Sequence, residues 1–154
     1  MGVATASRHF PTRDDLYRAV LENVMDNMRA VVDKHVPRFP DAPEATWRCA
    51  ITEMVDISFP TVGEEFLPVF APHLDQEERN ILTEKVKALY RPLLTEAERY
   101  GLCPGDLDVM DFHFGIIALS RPLPDMAEEV LARSRGWLVD VFIDGLRAQA
   151  EGSS

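Results

Sequence analysis

Apolar residues recur along this chain at intervals of three and four positions, and no stretch alternates apolar and polar residues as a strand does. That spacing predicts an all-α fold of about six helices. The first long helix is predicted to begin at Thr12 or Arg13 and to end at Pro37. Thr12 can cap its first turn, where Asp14 and Asp15 suit the helix dipole. Its apolar face consists of Leu16, Val20, Val24, Met28 and Val31 or Val32.

Prolines bound the next two elements. Pro43 stands at an early helical position and predicts a second helix, which Pro60 ends. Between residues 60 and 74 the prolines are too close together for a long helix. We therefore predict only a short, broken helix there, around residues 64–70.

Capping signals mark two of the last three helices, and apolar spacing marks the final one. Asp75 followed by Glu78 has the spacing of a capping box, and Gly101 has the position of a left-handed helix end. A helix opened by Asp106 or Asp108 is apolar almost all round, so it must be covered on two sides. The final helix is predicted to run from about residue 125 to about residue 148.

Charge is distributed unevenly along the chain. The net charge is −10, which argues against nucleic-acid binding by the body as a whole. Residues 1–38 carry six basic and five acidic residues, whereas the rest carries ten basic and 21 acidic. Such a protein can meet DNA with one end only. No signal pattern and no apolar run of the ~20 residues that span a bilayer is present, so we expect a cytoplasmic protein with no membrane partner.

The first seventeen residues, M-G-V-A-T-A-S-R-H-F-P-T-R-D-D-L-Y, carry the most specific pattern of the chain. They resemble the recognition-helix segment of the TetR family of bacterial transcriptional repressors. In that family small residues precede T-x-Y-R-H-F, and P-[ST]-[KR], an acidic pair and a hydrophobic residue follow. The match departs at Ser7, where the family usually has Tyr. The resemblance implies a TetR-like helical bundle with an incomplete N-terminal helix-turn-helix, because two further helices precede this segment in the family.

The resemblance also implies which residues would contact DNA. A recognition helix lies in the major groove, with base edges near its first residues and phosphates near its flanks. The implied DNA-binding residues are Thr5, Ser7, Arg8, His9 and Arg13.

The start of the chain leads to an expectation about its affinity for DNA. In the family this segment usually reads A-G-V-G-V-A-T, and Met1 stands where the family has Val. This favours a longer natural protein, or one whose helix-turn-helix domain has been lost. A recognition helix of about one and a half turns is marginal without helices to support it. We expect this chain to bind an operator weakly or not at all.

The domain division follows from the same resemblance. Residues 1–38 would be the remnant of the helix-turn-helix DNA-binding domain with its connecting helix. Residues 39–154 would form the ligand-binding and dimerisation domain. In the family the middle helices enclose a mostly apolar cavity for a small effector.

Aromatic and methionine side chains around the broken segment suit such a ligand pocket, which is typically apolar with a few placed polar groups. Ordinary core packing remains the alternative for each of these residues. The apolar candidates are Trp47, Met54, Phe59, Phe66, Phe70 and Phe112, and the polar candidates are Asp56, Tyr90 and His113.

The last two helices carry more apolar surface than a small monomer buries, which indicates a homodimer. We therefore predict a dimer interface on these helices. It would contain Phe114, Ile117, Trp137, Leu138, Val141 and Phe142.

No pattern in the sequence indicates an enzyme, a metal site or a cofactor. The four histidines lack metal-ligand spacing, the two cysteines are isolated, and there is no Gly-rich phosphate loop or G-x-S-x-G motif. We predict a ligand-responsive DNA-binding transcriptional regulator, by resemblance a repressor. Its partners would be a second copy of the chain, a small, mostly apolar effector and, where the helix-turn-helix domain is complete, operator DNA. The alternative is a stand-alone helical ligand-binding or adaptor protein that does not bind DNA.

Overall fold

The computed structural model describes residues 12–58, 74–120 and 128–152, and helices make up most of all three stretches. No strand occurs in these stretches, so the predicted all-α fold is confirmed. The short helix predicted around residues 64–70 lies outside the described residues. The helices are α1 (Arg13–His35, followed by a 3-10 turn, Val36–Arg38), α2 (Pro43–Ser58), α3 (Gln76–Arg99), α4 (Val109–Ser120) and α5 (Glu128–Gly152).

Side-chain caps begin the helices where the sequence predicts them. Thr12 Oγ1 accepts a hydrogen bond from the Asp15 N–H at 3.1 Å, and the Asp15 carboxylate accepts one from the Thr12 N–H. Asp75 and Glu78 form the same reciprocal box at the start of α3. At the start of α4, Asp108 Oδ1 accepts from the Met110 N–H at 2.7 Å. These bonds satisfy backbone donors that a helix leaves unpaired in its first turn.

The helix ends differ in part from the prediction. α1 ends at His35 rather than at Pro37, because the chain tightens into a 3-10 turn that carries the proline near its start. α5 continues to Gly152, about one turn past its predicted end, since no proline interrupts that stretch. α3 passes through Pro92. None of the described helices is long and apolar enough to cross a membrane.

α1 and α3 run parallel to each other. Near their starts, Arg18 Nη2 lies 2.5 Å from Glu78 Oε1. Just beyond their ends, the rings of Phe39 and Tyr100 stack with centroids 6.1 Å apart. Because starts contact starts and ends contact ends, the two helices share a direction along their whole length.

Among the side chains that the structure describes, three ion pairs join α2 to α5. Residue numbers rise along α2 as they fall along α5, so the two helices are antiparallel. The pairs are largely exposed, and each stabilises the fold by no more than about 1 kcal/mol. Together they fix the register between the helices. The pairs are Glu44–Arg147, with atoms 3.1 Å apart, Arg48–Asp140, and Asp56–Arg135, with atoms 3.6 Å apart.

One core of buried apolar side chains lies between α1, α2, α3 and α4 and the inner face of α5. Burying each large side chain stabilises the fold by roughly 1.5–3 kcal/mol relative to leaving it in water. Members that are less than 5% exposed include Met28, Val32, Trp47, Ile51, Met54, Leu89, Leu93, Phe112, Ile116 and Val139.

Gly101 ends α3 in the left-handed conformation predicted for it. Its φ is +68°, and its N–H donates to the Glu98 carbonyl at 2.9 Å. The Leu102 N–H donates to the Ala97 carbonyl at 2.9 Å, and the Leu102 side chain is buried. This pair of bonds is the Schellman arrangement, which an L-residue with a Cβ adopts only with strain.

Gly101→Ala is expected to lower the free energy of unfolding by about 1 kcal/mol, because alanine is disfavoured at a positive φ. Gly136→Ala is the matched control, since Gly136 lies inside α5 and no atom of the described residues lies within 4 Å of the added Cβ. That change is expected to raise stability by about 0.5–1 kcal/mol. Urea unfolding of both variants measures the difference. Equal effects of the two changes would contradict a strained helix end.

Candidate functional site

Three aromatic rings from α2, α3 and α4 meet in the interior, and a fourth from α5 joins them. Trp47 of α2 stacks on Phe112 of α4, with centroids 5.6 Å apart. Tyr90 of α3 meets Phe112 edge-on at 5.3 Å, and Phe142 of α5 lies 6.1 Å from it. The first three side chains are at most 1% exposed. Phe112 is therefore the centre of a densely packed aromatic cluster.

Gly115 gives Phe142 its place in this cluster. A Cβ on Gly115 would lie 2.8 Å from the Cε2 and Cζ atoms of the Phe142 ring. That distance is too short for two carbon atoms, so the absence of a side chain lets α4 and α5 approach closely.

Two polar groups meet inside the apolar cluster. His113 Nδ1 lies 3.3 Å from the Tyr90 hydroxyl, within hydrogen-bonding distance, and the two rings have centroids 5.7 Å apart. Burial lowers the pKa of His113 to about 4 and raises the pKa of Tyr90. Both groups are therefore uncharged near neutral pH. A ligand that reached them would find one hydrogen-bond acceptor and one hydrogen-bond donor, and no charged group.

Trp47 contributes a further polar atom. Its indole Nε1 is buried and has no hydrogen-bond partner among the described residues. A buried donor without an acceptor costs roughly 1–3 kcal/mol.

His113 makes stability depend on pH in the acid range. An unfolded histidine gains its proton near pH 6.5, whereas the folded one gains it near pH 4. Between these values the unfolded chain holds more protons, so stability rises with pH across this window. From pH 7 to pH 5 we expect a loss of about 1–2 kcal/mol from this residue.

Urea unfolding of His113→Gln at both pH values checks this contribution. Glutamine keeps an acceptor for the Tyr90 hydroxyl but does not titrate. The variant should lose less stability on acidification than the parent chain. Parallel losses in the two proteins would contradict a neutral, buried His113.

The predicted pocket residues fall into three groups. Trp47, Met54, Tyr90, Phe112 and His113 are core or near-core residues; three of the five belong to the aromatic cluster, and His113 lies beside Tyr90. Asp56 lies apart from them: its side chain is 60% exposed and pairs with Arg135. Phe59, Phe66 and Phe70 lie outside the described residues. The structure thus brings most of the described candidates together, as a packed cluster.

A second polar group is buried at the junction of α1 and α2. His35 is 2% exposed, and its Nε2 lies 3.2 Å from Glu53 Oε2. Lys34 Nζ lies 2.6 Å from the other oxygen of the same carboxylate. The hydrogen bond from Lys34 holds the pKa of Glu53 below its usual value, and the nearby His35 ring acts in the same direction. This cluster joins the end of α1 to α2, so its role is structural.

An open groove between the middle of α1 and the first half of α3 was not predicted from the sequence. It has a volume of about 440 Å³. Ile81 of α3 lies at this groove and is 50% exposed, which is unusual for an isoleucine. Leu21 and Met25 of α1 and Leu74 and Leu82 complete the apolar part of its lining.

Large apolar side chains are exposed on both α4 and α5. Four of the six predicted dimer-interface residues are between 39% and 64% exposed: Phe114, Trp137, Leu138 and Val141. The other two are half-buried within the chain itself. Phe142 packs on Phe112, and Ile117 belongs to a second apolar cluster with residues of the first half of α1.

The predicted DNA-binding segment lies almost wholly outside the described residues. This applies to Thr5, Ser7, Arg8 and His9. Arg13 is the first residue of α1, and its side chain also lies outside the described part.

Neither metal ligands nor similarity to known proteins indicates a function. The described stretches hold no group of three or more His, Cys, Asp or Glu side chains that could bind a metal ion. No family model matches the sequence, and no curated protein matches it.

Proposed function

We propose that this protein is a ligand-responsive, DNA-binding transcriptional regulator of the TetR type that acts as a homodimer in the cytoplasm. The proposal begins with the sequence of residues 1–17, which resembles a recognition helix and the start of its connecting helix. Support comes from α1, because Thr12 caps it at the position where the motif requires the connecting helix to begin. The all-α body is compatible with this assignment.

The observation that carries the proposal furthest is the exposure of large apolar side chains on α4 and α5. Monomeric proteins rarely expose contiguous large apolar side chains, and Trp137 and Phe114 are each more than half exposed. Tryptophan and phenylalanine are also enriched at protein–protein interfaces. A second copy of the same surface would cover these side chains in a two-fold symmetric dimer.

α1 would link the effector to DNA in this proposal. It follows the recognition-like segment directly and packs against both α2 and α3. A ligand that prefers one arrangement of these helices would shift the angle of α1. In a dimer, that angle sets the distance between two recognition helices, which must be about one DNA turn. Couplings of this kind are typically 1–3 kcal/mol.

The test compares operator binding by this chain with binding by a version extended upstream in frame by about forty residues, enough for two short helices. Both are titrated against the promoter of the protein's own or a neighbouring gene by fluorescence anisotropy at fixed salt, because affinity for DNA depends steeply on salt. A regulator of this type is expected to bind tightly wherever its helix-turn-helix is complete.

Two single variants of the extended protein make the test residue-specific. Arg13→Ala should weaken binding and reduce the salt dependence by about one phosphate contact. Arg38→Ala is the control, since Arg38 lies exposed beyond the other end of α1. If neither protein binds any local promoter, the stand-alone ligand-binding or adaptor function becomes the better proposal.

A further inference from the structure

One face of α5 points away from the core of its own chain. Val139, Ile143 and Leu146 are buried on the inner face. Because an α-helix turns by about 100° per residue, Trp137 and Val141 lie on the opposite side. They are 64% and 48% exposed, so the centre of this outer face presents two large apolar side chains to solvent.

Charges of opposite sign flank the apolar centre of the outer face. Arg133 lies one turn before Trp137, and Asp144 lies three residues after Val141. By helical geometry all four side chains lie within an arc of about 80°. Both charged residues are exposed. From its N-terminal end, the outer face therefore consists of a cation, two apolar residues and an anion.

Arg133 and Asp144 differ from the other charged residues in the middle of α5. Arg135, Asp140 and Arg147 each form an ion pair with α2. Arg133 and Asp144 form none with any side chain that the structure describes. The two charges on the outer face can therefore pair with a partner outside the chain.

The order of these four residues is self-complementary in one direction only. When two copies of α5 lie side by side and antiparallel, the cation of each copy faces the anion of the other. The midpoint between Arg133 and Asp144 and the midpoint between Trp137 and Val141 fall within one residue of each other. One two-fold axis therefore aligns both ion pairs and both apolar contacts. In a parallel pair, like charges would meet and repel.

We propose that α5 packs antiparallel against α5 of a second copy of this chain, with Arg133 facing Asp144 of the partner subunit and Trp137 packed on Val141 of the partner subunit. Packed helices lie about 8–10 Å apart, a distance that an arginine side chain can span to a facing aspartate. The inference rests on the homodimer of the proposed function and adds the direction and register of its two subunits. The ion pairs select this register, whereas burial of the apolar residues drives association.

The test exchanges the two charges, one at a time and together. Arg133→Asp places two carboxylates opposite each other at both ends of the helix pair, and Asp144→Arg places two guanidinium groups there. Each single variant is expected to weaken dimerisation about 10- to 100-fold, because like charges in an interface repel. The double variant restores two pairs of opposite charge and should dimerise within about threefold of the parent chain. Sedimentation equilibrium gives the dissociation constants.

An equimolar mixture of the two single variants tests the register in a second way. In a mixed dimer the new aspartate of one subunit faces the new arginine of the other, and the two unchanged residues also face each other. The mixture should therefore form heterodimers more tightly than either variant forms homodimers. Native mass spectrometry distinguishes the three dimers by mass.

Arg38→Asp and Asp33→Arg are the matched controls, because they make the same changes of charge at exposed positions near the end of α1. Both should dimerise as the parent chain does, and circular dichroism checks that every variant stays helical. Unchanged dimerisation of the single variants, a double variant as weak as they are, or equal losses in the controls would overturn the register while the dimer of the proposed function stands. A monomeric parent chain would contradict that dimer itself, and the register with it.

Discussion

Replacing Trp137 and Val141 together by glutamate is expected to convert the protein from a dimer to a monomer. The two residues lie one turn apart on α5 and are 64% and 48% exposed. In the proposed dimer they would be buried against the partner subunit, and a buried carboxylate without a partner costs several kcal/mol. Since both positions face solvent within one chain, the fold of the monomer should persist.

Light scattering during size-exclusion chromatography measures the mass of the variant, and circular dichroism confirms that it stays helical. Ile81→Glu is the control, because it places a carboxylate on another exposed apolar residue, in the groove beside α3. The control should remain a dimer. A monomeric parent chain at tens of micromolar, or a monomeric Ile81→Glu beside a dimeric double variant, would contradict an interface on α4 and α5.

The helix starts could be predicted because their causes are local. Thr12 with Asp15, and Asp75 with Glu78, each satisfy backbone groups within three residues of themselves, so the sequence contains the whole interaction. Gly101 is similar, because a positive φ at a helix end depends on the residue and its immediate neighbours.

The orientation of apolar residues on α4 could not be predicted in the same way. This helix is apolar almost all round, so the pattern alone does not distinguish Phe112, which is 1% exposed, from Phe114, which is 58% exposed. The difference depends on where α2 and α5 lie. The pattern of α5 is ambiguous in the same way. We therefore predicted Phe142 as an interface residue, although Gly115 leaves space for its ring inside the chain.

The candidate sites show the same limit. The sequence predicts Trp47, Tyr90 and Phe112 for the lining of one ligand pocket, and their rings meet in the interior. Whether they line a cavity or fill the space depends on distances between helices, which composition does not contain. The groove was not predicted, because its two walls come from segments about 60 residues apart and only their parallel alignment creates it.

Phe112→Ala is expected to lower the free energy of unfolding by about 3–5 kcal/mol. Phe112 contacts Trp47, Tyr90 and Phe142, so its removal leaves three rings without their common neighbour. The loss combines the transfer of a large apolar side chain to water with the cavity left behind. Urea unfolding at one protein concentration measures it.

The size of that loss also decides how the aromatic cluster should be understood. In a packed core the rings support one another, and truncation costs the full amount. Around a preformed ligand cavity, Phe112 would already lack neighbours on one side, so its removal would cost clearly less. Ile81→Ala provides the scale for a half-exposed side chain, for which about 1 kcal/mol or less is expected. If Phe112→Ala lowers the free energy of unfolding no more than Ile81→Ala does, the cluster is an open pocket and is the candidate effector site. If the loss has the expected size, the groove between α1 and α3 is the better candidate.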